Sequence, residues 1–219
     1  MLLTKPALLR AYHEGRIRID PFVPENVGSN SVDVRLGPWV YRQNTGPGVG
    51  LLNPWSEKSS KSLWRGPECL PRAASLIVAG ALRREDVLPF DPDTQVLLLA
   101  PGECVLAHTL ESIGWMDLRI TTKMQARSTI GRSNITVCAC AGLGDIGYAS
   151  RWTMELRNCN PHTHVLLPVG ARIAQVVFFE GEPIDPKDSY AGKYQSGAPW
   201  RPEAMLPAAW KDRELKESA

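Results

Sequence analysis

Apolar and polar residues alternate with a period of two in short segments of the chain, and this pattern constrains the fold most. In SVDVRLG, residues 31–37, the apolar Val32, Val34 and Leu36 alternate with polar neighbours, which is typical of a strand with one buried face. Further segments that fit strands are 95–100, 103–107, 117–125, 134–140, 151–157, 164–167 and 172–179. Turn signals such as Pro101-Gly102 separate them at the spacing of a sandwich or barrel. The chain is therefore predicted to be mostly β.

The two ends of the chain do not follow the strand pattern. Residues 4–15 predict a short helix that Thr4 can cap and Gly15 can end. Residues 196–219 finish in a charged stretch and predict a C-terminal tail. We therefore expect one β domain over residues 1–195, followed by this tail.

An inserted segment, residues 43–68, is rich in Gly, Pro and Ser. It also carries Trp55 and Trp64, which a disordered linker rarely keeps. We expect an ordered excursion that packs on the body of the domain or on a neighbouring subunit.

Charge and cysteine content exclude several classes of protein. The formal net charge of +2 is too small for a nucleic-acid coat or a polybasic membrane patch. No apolar run reaches the roughly 18 residues of a membrane-spanning helix. The 5 cysteines are an odd number without an export signal, which favours free thiols in a reducing compartment. We expect a cytoplasmic protein that binds neither nucleic acid nor membranes.

The segment 125–158 contains the residues best suited to chemistry. Arg127, Ser128 and Arg132 surround the turn at Gly131. Guanidinium groups, a hydroxyl and nearby backbone N–H groups suit a bound anion such as phosphate. A solvated turn with two surface arginines is the alternative interpretation.

A glutamate lies in the middle of a predicted strand, within the sequence WTMEL. Trp152, Met154 and Leu156 share one strand face, so Glu155 points to the other face. It is either a functional carboxylate or a solvated residue that pairs with Arg157.

Segments distributed along the chain resemble the dCTP deaminase branch of the dUTPase-like superfamily. MQARSTIGRS is similar to the family's R-S-S-L-x-R-L, and AGLGDIGYASRWTMEL is similar to its T-A-x-x-I-D-P-G-[FW]-x-G-x-x-x-L-E-L. GRIRIDPFVPENVGSNSVDVRLG, LLLAPGECVLAHTLESI, PVGARIAQVVF and YAGKYQ resemble further family segments in the same order. The resemblance covers roughly residues 2–40 and 95–197.

The resemblance implies a fold and a catalytic group. The fold would be a dUTPase-like distorted β-barrel or jelly roll with a short N-terminal helix and a C-terminal lid segment. Glu155 matches the glutamate that activates water for attack on C4 of cytosine. Ser128 and the Ala141 backbone match groups that hold this water and the base edge, and Arg132 matches the arginine that steadies the glutamate.

The resemblance also implies a substrate site for dCTP. Arg127 would lie toward the phosphates, while Asp145 and Tyr148 match the turn that receives the deoxyribose. The matching triphosphate contacts are Gln175, Lys193, Tyr194 and Gln195. Mg²⁺ would be held by the phosphate oxygens rather than by protein side chains. The expected assembly is a homotrimer with sites between subunits, converting dCTP to dUTP and ammonia.

Several positions depart from the family pattern near the expected base and sugar pocket. Gly144 replaces the isoleucine before the aspartate, Ile146 stands where proline is usual, and Ser150 stands where glycine is usual. Thr129, Cys140 and Ser133-Asn134 also differ from the family residues.

The sequence leaves three alternatives to dCTP deamination. A zinc-dependent deaminase would need H-x-E and P-C-x-x-C, which this sequence lacks; Cys138 and Cys140, predicted to share a strand face, are more typical of a core. A dUTP diphosphatase, or an enzyme with both activities, could use Asp145 as the base. A dNTP-binding module without catalysis is the third alternative.

Overall fold

The structure, a computed structural model, describes residues 1–44, 46, 50–115, 117–192, 194 and 199–211. Its strands are β1 (Ile17–Asp20), β2 (Val32–Arg35), β3 (Trp39–Gln43), β4 (Trp64–Cys69), β5 (Val96–Leu99), β6 (Cys104–Trp115), β7 (Ile120–Ala126), β8 (Ile135–Thr136), β9 (Leu143–Gly144), β10 (Ser150–Asn158), β11 (Val165–Pro168) and β12 (Arg172–Glu180). Its α-helices are α1 (Lys5–His13), α2 (Glu57–Leu63), α3 (Ala73–Val78), α4 (Arg84–Val87) and α5 (Ser128–Arg132). Short 3₁₀ helices occupy Pro24–Asn26, Pro186–Asp188, Pro202–Met205 and Ala209–Lys211. The prediction of a mostly β chain with a short N-terminal helix is confirmed.

The strands form a large sheet, a four-stranded sheet and a two-stranded sheet. The large sheet has the order β4-β3-β6-β10-β8, and β1 also pairs with β6. The four-stranded sheet has the order β2-β12-β7-β9, and β11 pairs with β5. Within the described part of the chain, the sheets stay open and do not close into the barrel that we expected.

The period-two pattern determines which strand faces form the core. In β10, Trp152, Met154 and Leu156 are buried, whereas Glu155 is half-buried on the opposite face. The buried residues pack in one cluster with Val176 and Phe178 of β12. Each such side chain stabilises the fold by about 1.5–3 kcal/mol on burial.

The strand predicted over 134–140 is much shorter in the structure. β8 ends at Thr136, and Cys138 adopts a left-handed conformation with φ 54°. Non-glycine residues in this region break a strand because the backbone turns away from the ladder. Cys138 is consequently buried while Cys140 is exposed, so the prediction that they share one strand face is wrong.

The strand predicted over 103–107 is instead the longest in the fold, because β6 has 12 residues. Its pairing register with β10 shifts between Arg151 and Thr153. At this bulge the buried residues of β6 are the polar Thr109 and Glu111, which interrupts the apolar alternation. The apolar alternation in the sequence therefore covers only the first part of this strand.

The segment 43–68 contains α2 and continues on both sides into the hairpin of β3 and β4. Trp64 packs against Tyr41 and Leu106, whereas Trp55 is 55% exposed. The helix and the strand in this segment were not predicted, because its high content of Gly, Pro and Ser is typical of loops.

Residues 199–211, which we name the C-terminal strap, return to the large sheet. Trp200 packs on the buried His108 with ring centroids 4.4 Å apart and 35° between the ring planes. Burial lowers the pKa of His108 to about 4, so Trp200 packs on a neutral ring at neutral pH. Met205 is only 3% exposed. The remainder of the predicted tail, residues 196–198 and 212–219, lies outside the described residues.

No helix in the described ranges is long and apolar enough to cross a membrane.

Candidate active site

A cavity of about 1040 Å³ lies on the face of the large sheet that carries Glu155. The antiparallel register places Leu106 of β6 next to Glu155, and Tyr41 of β3 next to Leu106. The predicted site residues that line this cavity are Ala141, Asp145, Tyr148, Glu155 and Tyr194. The cavity is large enough to hold a nucleotide.

Glu155 occupies an unusual environment for a carboxylate. Its Oε2 is buried and has no hydrogen-bond partner among the described residues. Burial raises the pKa of this carboxyl group above its ordinary value, since the charged form loses water. A carboxylate that is poorly solvated and faces a cavity is suited to accept and return a proton. The interpretation of Glu155 as a freely solvated surface residue does not fit these observations.

The predicted turn at GDIGY is present and brings Asp145 to the cavity. The Tyr148 N–H donates to the Asp145 carbonyl at 3.0 Å, and Gly147 has φ +94°. This positive φ at the third turn position favours glycine. The turn therefore forms although Ile146 replaces the usual proline.

Aromatic rings extend from this turn toward the C-terminal residues. Tyr148 packs edge-on against Trp152 at 5.5 Å and against Tyr190 at 5.6 Å. Burial raises the pKa of Tyr148 to about 12, which keeps its hydroxyl protonated. The Tyr194 N–H donates to the Tyr190 hydroxyl at 3.2 Å, and the Ala208 N–H donates to the Tyr194 hydroxyl at 3.3 Å. These contacts connect the turn with the C-terminal strap.

Gly144 is the departure from the family pattern that the structure explains. A Cβ built on Gly144 would lie 2.5 Å from Cζ2 of Trp152 and would also meet the Thr122 hydroxyl. Real Cβ atoms do not approach that closely, so the indole of Trp152 fills the space that a side chain at 144 would use. Trp152 also lines the cavity.

The other predicted site residues lie elsewhere on this chain. Within the described ranges, Arg127, Ser128, Arg132 and Gln175 do not line the cavity that contains Glu155. Ser128 and Arg132 are exposed at the ends of α5. They are thus separated from the group around Glu155.

Arg127, directly after β7, and Gln175 of β12 both lie beside Asp33 of β2. Arg127 Nε is 3.2 Å from Asp33 Oδ2, and Gln175 pairs with Asp33 in the ladder between β12 and β2. Asp33 also pairs with Arg172 at 3.3 Å. Burial raises the pKa of Asp33, against the opposing effect of the two arginines.

Two of the predicted phosphate contacts, Lys193 and Gln195, lie outside the described residues. Nor do the described residues bring three or more His, Cys, Asp or Glu side chains together in a group that could hold a metal ion.

The sequence did not point to several residues that line the cavity. They include Trp64, Leu106, Tyr190, Met205, Pro207 and Lys211. Most come from the hairpin of β3 and β4 or from the C-terminal strap, segments without periodicity or motif. Trp55 and Trp64 indicated that the segment 43–68 would be ordered, whereas the C-terminal residues were predicted only as a tail.

Comparisons with known proteins identify a family. Residues 75–181 match the family model described as dCTP deaminase-like. A protein of Methanoregula boonei named "dCTP deaminase, dUMP-forming" is 31% identical over 183 residues, which cover 83% of this chain and 84% of that protein. A protein of Kocuria rhizophila with the same name is 28% identical over 180 residues, covering 82% and 80% of the two chains.

A crystal structure of a 2′-deoxycytidine 5′-triphosphate deaminase from Agrobacterium tumefaciens has a similar fold. Its TM-score is 0.54 at 18% identity, over 82% of this chain and 47% of that chain. This chain thus spans about half the length of that protein, and the likeness supports the expected fold. The 31% identity to the Methanoregula boonei protein shows that this chain belongs to the dCTP deaminase family.

Proposed function

We propose that the protein deaminates dCTP by hydrolysis, with Glu155 as the general base. The observation that carries this proposal is the half-buried Glu155 carboxylate, with one unpartnered oxygen, in a cavity that also holds Asp145 and Tyr148. A carboxylate with a raised pKa exchanges protons more readily near neutral pH.

The reaction balances with one water molecule. Glu155 accepts a proton from this water while the oxygen adds to C4 of cytosine. One proton of the water then reaches N3 and the other reaches the departing amino group, which leaves as ammonia. The C4 carbonyl of uracil remains, and Glu155 returns to its ionised form. Asp145 and Tyr148 are proposed to hold the deoxyribose.

The proposed final product is dUMP, which replaces the dUTP expected from the sequence. The relatives from Methanoregula boonei and Kocuria rhizophila are both named as dUMP-forming. Asp145 lines the same cavity as Glu155, so a second base is available in the same site. It would direct another water at the α-phosphorus of dUTP, and diphosphate would leave. An enzyme with both deaminase and diphosphatase activity is one of the alternatives that the sequence leaves open.

We place the complete site between subunits of a homotrimer. Ser128 and Arg132 are exposed and do not reach the cavity of their own chain, among the described residues. A neighbouring copy can supply both from its α5, which would give Glu155 its arginine and its hydroxyl. Closed symmetry repeats the same contact at every site.

Mg²⁺ is proposed to arrive with the triphosphate. It would neutralise phosphate charge when bound. Arg127 and Gln175 of a subunit, with Lys193, Tyr194 and Gln195 of the C-terminal lid segment, are proposed to contact the phosphates. Of these residues, Lys193 and Gln195 lie outside the part of the chain that the structure describes.

One assay tests the proposed function. Purified protein is incubated with dCTP and Mg²⁺, and ammonia, dUTP, dUMP and diphosphate are measured over time. Ammonia with dUMP and diphosphate in equal amounts is expected. Ammonia with accumulating dUTP would leave only the deamination, and binding of dCTP without any product would favour a non-catalytic dNTP-binding module.

A further inference from the structure

A second apolar cluster, separate from the main core, borders the cavity. Tyr41, Leu106 and Met205 are its buried members, and Trp64 and Leu206 are among the half-buried residues packed on them. Trp64 and Met205 lie outside the segments that resemble the deaminase family. We name this group the Met205 cluster.

The Met205 cluster lies next to the proposed catalytic carboxylate. Leu106 is the ladder neighbour of Glu155 on the adjacent strand, and the Cβ atoms of such neighbours are about 4.5–5.5 Å apart. Met205 packs on Leu106 and lines the same cavity as Glu155. A base whose C4 is held at Glu155 therefore has Leu106 and Met205 at its side.

The apolar character of this wall determines which edge of the base can face it. Cytosine has acceptors at O2 and N3, whereas its C5–C6 edge carries only C–H groups. Leu106 and Met205 have no N–H or O–H side-chain donor, so an O2 or N3 edge placed against them would lose its hydrogen bonds to water. The C5–C6 edge faces the wall without this loss.

We infer that Met205 sets the space beside C5 of the base and so controls which 5-substituted cytosine nucleotides are deaminated. This inference rests on the proposed deamination. Met205 is then a specificity residue that touches the substrate, supplied by the C-terminal strap.

The test compares two substrates across four proteins. The kcat/KM for ammonia release is measured with dCTP and with 5-methyl-dCTP, for the wild type, Met205→Ala, Met205→Leu and Leu206→Ala. Because a methylene in an apolar pocket changes discrimination by about tenfold or more, Met205→Ala is expected to raise the ratio of 5-methyl-dCTP to dCTP about tenfold. Met205→Leu nearly conserves volume and is expected to keep the ratio. Leu206→Ala removes a neighbouring side chain of the same cluster that does not line the cavity, and the ratio is expected to stay constant.

Each other result overturns the inference. An unchanged ratio in Met205→Ala shows that Met205 does not meet the C5 substituent. An equal rise in Leu206→Ala shows that loosening of the cluster, rather than contact, controls the ratio. Met205→Val, a smaller truncation, is expected to change the ratio in the same direction and serves if the alanine variant does not fold. Absence of ammonia from both nucleotides with the wild type overturns the proposed deamination itself, and the inference with it.

Discussion

Arg35 and Glu111, which are 76 positions apart in the sequence, form an ion pair inside the fold with 2.6 Å between Nε and Oε1. The second carboxylate oxygen of Glu111 accepts from the Arg35 backbone N–H at 2.8 Å. The side chain of Glu111 is 2% exposed and that of Arg35 is 24% exposed. The pair thus joins two of the segments that resemble the family, SVDVRL and LAHTLE.

Glu111→Gln is expected to lower the free energy of unfolding by about 1.5–3 kcal/mol, since hydrogen bonds to charged groups contribute that much. Urea unfolding measures the change. Asp93→Asn is the control, because Asp93 pairs with Arg72 while both side chains are largely exposed, and a change of about 0–1 kcal/mol is expected there. Equal effects of both substitutions would contradict the structural role of the Arg35–Glu111 pair.

Glu155→Gln is expected to lower the turnover of dCTP by about 10²–10⁴-fold while dCTP binding is largely retained. The amide keeps the size of the side chain but cannot accept the proton. Turnover is measured by ammonia release and binding by calorimetry, with the exposed Glu182→Gln as control. A variant that retains more than about a tenth of the wild-type turnover would falsify the role of Glu155.

The pH dependence of turnover follows from the raised pKa of Glu155. The base works only when ionised, so kcat is expected to fall with decreasing pH already above the ordinary carboxyl value of 4.5. A profile of kcat against pH at saturating dCTP measures this. A kcat that stays constant down to pH 4.5 would contradict a catalytic role for an ionised Glu155 with a raised pKa.

The same pKa shift has an effect on stability with a defined sign. Because the folded-state pKa of Glu155 is raised, its contribution to stability is full below the unfolded pKa and is lost as pH rises through the folded pKa. Glu155→Gln is therefore expected to be more stable than the wild type at neutral pH. This advantage should vanish when the pH is lowered below the ordinary carboxyl value. Urea unfolding at both pH values checks this, and an advantage that grows toward acid pH would refute it.

Subunit mixing tests the composite site. An Arg132→Ala chain and a Glu155→Gln chain are co-expressed and purified together. If a neighbouring subunit supplies Arg132, roughly a quarter of the sites in randomly mixed trimers contain both native residues. Partial activity is expected although each variant alone is inactive. Inactive mixtures of confirmed mixed trimers would place both residues in the same subunit.

Local sequence patterns predicted the parts of the site that depend on local structure. The alternation around Trp152 and Met154 placed Glu155 on the opposite strand face, and the segment GDIGY indicated the turn that carries Asp145. These features follow from backbone geometry within a few residues, so one short segment is sufficient to predict them.

Contacts between distant segments were not predictable in this way. Tyr41, Leu106 and Met205 meet in one cluster although each lies in a different part of the chain. Neither a period nor a motif links them, because their contact depends on how the hairpin and the strap pack on the large sheet. The short length of β8 was also not predicted. The residues from Ile135 to Cys140 are typical of a strand, but Cys138 has a positive φ and turns the backbone away.

The contact between Gly144 and Trp152 implies that these two positions are interdependent in any redesign of the protein. A larger residue at 144 has room only if residue 152 is reduced at the same time, because one volume serves both. Gly144→Ile alone would clash with Trp152 and with the Thr122 hydroxyl, and Trp152→Ile alone would leave a void, so a larger residue at 144 needs changes at both of its neighbours. A search pattern that scores each position independently cannot represent this dependence.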